Sequence, residues 1–265
     1  MAYATERQAT ENTARLGENP YPGRGIIIGK PATNFGVMQQ VYWLMGRKAN
    51  SQNRVFVEDR QTGIIRTQAF DPSKVTDPSL IIYNAMRSLK ADGSKYHVVS
   101  NGHQTDTVAA ALASEEGVIA ALLPHFETDD PTRTFEPDAP NYTPRITAVT
   151  RIKPDGEVSH HFHTVRKSTD SDDPLHRLVP YQHTEMEYGV GLCLHTYAGD
   201  SPSEGDPIPS YIGAPYPVLI GDTPSSTADY YWDRLNPANR VALVVKELSL
   251  LDDSVSYVFR DRFNN

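Results

Sequence analysis

A single cysteine, Cys193, is present in 265 residues. An intramolecular disulfide and a cysteine-built metal cluster are therefore excluded. Set in the apolar run Gly191-Leu-Cys-Leu194, it reads as a small buried hydrophobe. Positive charge is also in deficit. Lys and Arg number 25 against 33 Asp and Glu, for a net charge of −8. A general nucleic-acid binder needs a basic face to displace counterions, so nucleic acid is not an expected partner. A nucleotide remains open, because one phosphate needs only a few local cations. Apolar stretches stay well short of the ~20 residues that a membrane helix requires. The first residues lack the basic and apolar regions of a secretory signal. The expectation is a soluble, cytoplasmic protein with no membrane partner. Gly-x-Gly-x-x-Gly, Walker, Gly-x-Ser-x-Gly and His-Glu-x-x-His strings are all missing. No internal repeat or low-complexity linker divides the chain.

What is present alternates and turns. Residues 1–20 are polar and read as an N-terminal extension, part helix, before one domain over 21–265. Ile26-Ile-Ile-Gly29 reads as a short buried strand. In the strand over 37–45, Val41, Trp43 and Met45 face one way, and Tyr42 and Leu44 the other. Strands are predicted over 55–58, 64–69 and 96–100. Helical spacing of Leu80, Ile81, Tyr83, Asn84 and Arg87 predicts a helix over 78–89, and a second helix follows over 105–123. Residues 128–143 read as an exposed loop. A hairpin over 145–165 turns at Pro154-Asp155-Gly156. Residues 199–225 read as irregular. A helix over 226–235 and strands over 241–248 and 255–259 close the chain. This order predicts an α+β domain of antiparallel sheets with helices on their faces.

Several polar runs interrupt these elements. Arg47-Lys48-Ala-Asn-Ser-Gln-Asn53-Arg54 joins two strands and suits an anion or a carboxamide oxygen. Its bland alternative is a solvated loop. Tyr83-Asn84-Ala-Met-Arg87 fits a pocket wall, or a core tyrosine. Ser100-Asn101-Gly102-His103-Gln104-Thr105-Asp106-Thr107 runs from strand to helix, as an anion site or a simple cap. His125-Phe126-Glu127 offers a carboxyl suited to tuning, or a surface Glu. Thr143-Pro144-Arg145 opens a strand. In His160-His161-Phe162-His163 too few side chains project together to mark a metal site.

The order and wording of these runs resemble the archaeal-type IMP cyclohydrolases. The blocks are Arg24-Gly-Ile-Ile-Ile-Gly29, Tyr42 with Arg47 and Asn53-Arg54, Tyr83-Asn84-Ala-Met-Arg87, Asn101-Gly102-His-Gln-Thr105-Asp106-Thr107, Phe126-Glu127 and Thr143-Pro144-Arg145-Ile146. They cover roughly residues 24–150. The resemblance implies a four-layer αββα sandwich of antiparallel sheets, similar to N-terminal-nucleophile hydrolases but without their nucleophile. It implies cyclisation of 5-formamidoimidazole-4-carboxamide ribotide to IMP, with no metal or organic cofactor; a homo-oligomer is a separate expectation. Arg54, Tyr83 and Glu127 are the expected catalytic residues: oxyanion donor, proton relay, and acid–base. Arg47, Asn53, Asn84, Asn101, Gly102, Thr105, Asp106 and Arg145 are the expected substrate contacts, with Arg47 and Arg145 for phosphate. The extension and the longer late loops leave two alternatives: an enzyme acting on a related ribotide, or a non-catalytic nucleotide binder.

Overall fold

A strand apolar on both faces must be covered on both sides. In the computed structural model, which describes residues 6–123, 130–252 and 254–264, such a strand is β2 (Val37–Met45). It lies inside a six-stranded sheet with β1 (Gly25–Gly29), β10 (Val190–His195), β11 (Tyr216–Leu219), β12 (Arg240–Ser249) and β13 (Val255–Asp261), in the order β11-β10-β1-β2-β12-β13. A seven-stranded sheet runs in chain order through β3 (Arg54–Asp59), β4 (Ile64–Ala69), β5 (Asn84–Ala91), β6 (Ser94–Ser100), β7 (Arg145–Ile152), β8 (Val158–Lys167) and β9 (Pro174–Gln182). Neighbouring strands are antiparallel in both sheets.

The two faces of β2 explain the layers. Tyr42 and Leu44 pack between the sheets with Met86, Ile146 and Phe162. Val41, Trp43 and Met45 pack on the other side with Leu16 of α1 (Glu6–Glu18) and with Tyr231 and Trp232 of α5 (Pro224–Arg234). On the far face of the second sheet, α3 (Gln104–Ala113) and α4 (Val118–Leu122) cover Tyr96, Val98 and Val149. The alternation read from residues 37–45 is thus the alternation that separates the two cores. β1 reaches this packing only because Gly25 has no side chain, since a Cβ there would lie 1.9 Å from the Trp43 ring. The N-terminal extension is helical over Glu6–Glu18, with Ala9, Thr13 and Leu16 on one buried face. Thr13 Oγ1 accepts from the Leu219 amide at 2.9 Å, tying α1 to β11. No helix among the described residues is long and apolar enough to cross a membrane.

Three expectations are corrected. Residues 78–89 are not a helix. Pro78 begins a turn, and β5 starts at Asn84. The deciding signal is Asp92-Gly93, whose φ values of 46° and 75° suit a tight hairpin turn and pair β5 with β6. The helix over 105–123 breaks in two, where Glu115 and Gly117 take φ of 61° and 77°. The stretch 128–143 is not simply exposed, because Glu136 and Thr143 are buried and the Glu136 amide donates to Thr143 O at 2.9 Å. Strands β9, β10 and β11 were not anticipated. Pro174 and Pro180 hide β9, and proline is tolerated there because β9 is the sheet edge.

Candidate active site

Arg54 opens β3 with its side chain fully buried, a costly place for a guanidinium. Its Nε donates to Ser51 O at 2.8 Å. Neither Nη1 nor Nη2 has a hydrogen-bond partner among the described residues. Buried donors in folded proteins are nearly always satisfied. Here the unsatisfied pair belongs to a side chain lining a cavity of about 240 Å³. Burial pulls the Arg54 pKa down, with Arg24 adding to that, while Tyr83 opposes it.

Five stretches of chain converge on this cavity, one of them the segment after β10 with Tyr197 and Ile208. The segment entering β1 brings Tyr21 and Arg24, and the connection after β2 brings Arg47, Lys48 and the short helix α2 (Ala49–Gln52). The turn before β5 brings Leu80 and Ile81, and the segment before β7 brings Glu136, Asp138 and Thr143. Tyr21 and Tyr197 stack with ring centroids 5.8 Å apart. Arg47 lies over the Tyr21 ring and pairs with Asp200 at 2.7 Å, on the solvent side. The Tyr197 hydroxyl is 2.5 Å from Thr143 Oγ1, which in turn donates to Asp138.

Glu136 is the buried carboxyl of the cavity. Arg24 Nη2 approaches it at 3.3 Å and Arg145 Nη1 at 3.9 Å. Burial pushes its pKa up, and the two arginines oppose that rise. Burial works against the Arg24 charge, but Glu136 and then Tyr83 and Tyr197 more than offset it, so Arg24 stays protonated. Tyr83 sits next to this group. Its backbone is fixed by Thr67, whose Oγ1 accepts from the Tyr83 amide at 2.9 Å and whose own amide donates to Tyr83 O. Its hydroxyl lies 2.6 Å from that of Tyr42. Burial raises the Tyr83 pKa, while Arg54 and Arg24 hold it down. Tyr42 is raised much further, by burial and then by Tyr83 itself. The two hydroxyls share one short hydrogen bond in which either can donate. The group that results can hold a carbonyl oxygen at Arg54 and move protons through Tyr83 and Glu136.

Of the expected site residues, Arg54 and Arg47 line this cavity, Tyr83 lies behind it within electrostatic reach of Arg54 but does not line it, and Arg145 reaches the group through Glu136. Glu127 lies outside the described residues. The others are engaged elsewhere. Asn53 clamps the backbone of Asp71 through both ends of its amide. Asn84 and Arg87 bind Asp106 at 3.0 and 2.8 Å, in a cluster with solvent access. Asn101 is buried and holds Pro144 O and the Ile146 amide, so it joins the turn after β6 to β7. Thr105 bonds Ser100 and Gly102 O within the same turn. A Cβ on Gly102 would lie 2.5 Å from Arg145 Nη1, so the glycine leaves room for that guanidinium. Arg145 itself is spent on Thr134 O at 2.7 Å and Gln104 Oε1 at 3.0 Å. The histidines pair as His160 with His183 and His163 with His176. No group of three or more metal-ligating side chains is found among the described residues.

Two members of the site escaped sequence reasoning. Arg24 stood in a quoted block but had no role, and Glu136 fell in a stretch read as loop. The available signal was the repeated dipeptide, Phe126-Glu127 and Phe135-Glu136. Nothing local separates the two.

A family model described as IMP cyclohydrolase-like protein matches residues 21–253. No curated protein matches the chain.

Proposed function

The chain belongs to the IMP cyclohydrolase-like family, and on that premise we propose that it closes 5-formamidoimidazole-4-carboxamide ribotide to IMP with release of water. The observation that carries the proposal is Arg54, a buried guanidinium with two unmatched donors at a cavity. The substrate's carboxamide nitrogen attacks its neighbouring formyl carbon. The attack forms the last C–N bond of the purine, and the formyl oxygen departs as water. The amide nitrogen is a poor nucleophile, because its lone pair is delocalised into its carbonyl. The enzyme's tasks are to fold the formamide over, to stabilise the developing oxyanion and to move protons.

Arg54 answers the second task, and a preorganised donor of that kind contributes about 3–4 kcal/mol. Tyr83, relayed by Tyr42, supplies a proton to the departing oxygen. Glu136 takes the carboxamide proton, the role expected of Glu127, and its raised pKa suits a base that must hand the proton back. Arg24 and Arg145 keep that carboxyl aimed. Arg47 and Lys48, at the solvent side, take the phosphate, and Tyr21 and Tyr197 give an aromatic wall to the ligand. The catalytic unit spans residues 21–265, and α1 covers β11 rather than the cavity. Two facing antiparallel sheets with helices outside them support the N-terminal-nucleophile-hydrolase-like class. A cytoplasmic homo-oligomer working on a free ribonucleotide completes the proposal.

The test is direct. Purified, chelator-treated protein is incubated with the formylated ribotide, and purine formation is followed by ultraviolet absorbance. Catalytic production of IMP is expected, and binding of IMP without any cyclisation would overturn the proposal.

A further inference from the structure

Another buried cation lies in the same inter-sheet layer, away from the Arg54 cavity. Lys246 of β12 is fully buried. Its Nζ lies 2.6 Å from Ser88 Oγ of β5 and 3.1 Å from His97 Nδ1 of β6. Ser88 and His97 are cross-strand partners, with Oγ and Nδ1 2.9 Å apart. No carboxylate among the described residues pairs with the amine. Burial alone lowers its pKa to about 7, so a large share is neutral at physiological pH. Ser88 is exposed, and with His97 it lines a cavity of about 270 Å³ that also presents Leu89, Leu248, Val255 and Tyr257.

The three groups have the arrangement of an activated nucleophile: hydroxyl, base, and a third group that orients the base. Lys246 Nζ donates to Ser88 Oγ, and His97 Nδ1 lies within reach of both groups; the lone pair of a neutral amine held there is what a serine proton needs. We propose that Ser88 and Lys246 form a second reactive centre, a serine–lysine pair that takes acyl groups from small apolar esters. Ser88 Oγ bonds to the ester carbonyl carbon as its proton passes to Lys246 Nζ. The ester C–O bond breaks, and the alcohol leaves with that proton. Water then attacks the acyl-serine, with Lys246 taking and returning a proton, and the acid is released. Each turnover consumes one ester and one water, without an oxidant or reductant. The other titratable groups facing the pair are His97, Lys90, Lys95, Asp252 and Tyr257, all lining the same cavity.

The test uses the full chain with p-nitrophenyl butyrate and with a small alkyl fluorophosphonate. Peptide mass spectrometry is expected to locate one phosphonyl adduct on Ser88, with a labelling rate that rises through about pH 7 and levels above it. Ser88→Ala should abolish label and ester cleavage while leaving the thermal melt and IMP formation as in the wild type. Lys246→Met should slow labelling at least tenfold. If that variant does not fold, the pH profile of His97→Gln decides, since a rise near pH 7 that survives without the imidazole belongs to the amine, and a rise lost with it overturns the pair. Label elsewhere, no label, an unchanged rate in a folded Lys246→Met, or a pH-independent rate overturns the pair.

Discussion

Arg24 Nη2 lies 3.3 Å from the Glu136 carboxylate, although 112 residues separate them in the chain. The contact joins the segment before β1 to the segment before β7, and so closes the cavity around Arg54. A buried carboxyl held by two arginines, yet raised by burial, can both accept and return a proton.

Glu136→Gln is therefore expected to lower turnover by about 10²–10⁴-fold, the usual worth of acid–base catalysis. Affinity for IMP should change little, because the amide keeps the shape. Steady-state rates and calorimetric binding check both. Glu127→Gln, measured in parallel, should leave turnover near the wild type. The opposite ranking of the two variants would return the role to Glu127.

Arg54→Met separates function from stability. The change removes a buried charge whose Nη groups are unmatched among the described residues. Replacing such a charge with an apolar side chain is often neutral or stabilising by about 1–4 kcal/mol. The melting temperature should hold or rise, while the cyclisation rate falls by about 10²–10³-fold, as for loss of an oxyanion donor. A strongly lowered melting temperature would mean that Arg54 serves the fold instead.

Tyr83→Phe should cost more activity than Tyr42→Phe, since Tyr83 faces the arginines and Tyr42 feeds it. The double variant should be no worse than Tyr83→Phe alone. Additive losses in this cycle would dissolve the relay.

How much of this was legible depended on how far the signal travelled along the chain. The faces of β2 and the hairpin of β7 and β8 follow from neighbours two residues apart, and both were readable. Helical spacing around Tyr83 misled, because Pro78 and the Asp92-Gly93 turn govern that stretch and a few apolar matches do not. Arg54 and Tyr83 were found through wording. Glu136 was not, because its burial is created by Arg24, Arg145 and Thr143, which only the fold brings near. Lys246 looked like one lysine in a strand until β5 and β6 were laid against it.

Buried histidines should make the protein acid-sensitive. Burial lowers His163 to about 3 and both His183 and His195 to about 4. Unfolded histidine takes up a proton near pH 6.5, while these stay neutral in the fold. The unfolded state thus binds more protons between about pH 6.5 and 4, and stability falls as pH drops through that window. Each fully shifted histidine contributes up to about 1.4 kcal/mol per pH unit. Melting temperatures recorded from pH 7.5 to 5 should decline, and His163→Leu should flatten the slope. An unchanged melting temperature over that range would contradict the assignment.

The most direct measurement is a crystal structure with IMP bound. The account predicts the purine oxygen within about 2.7–3.1 Å of the Arg54 guanidinium, hydrogen-bond range for such a donor, with the phosphate at Arg47 and Lys48. IMP seated elsewhere, or bound with both Arg54 Nη groups still unmatched, would contradict it.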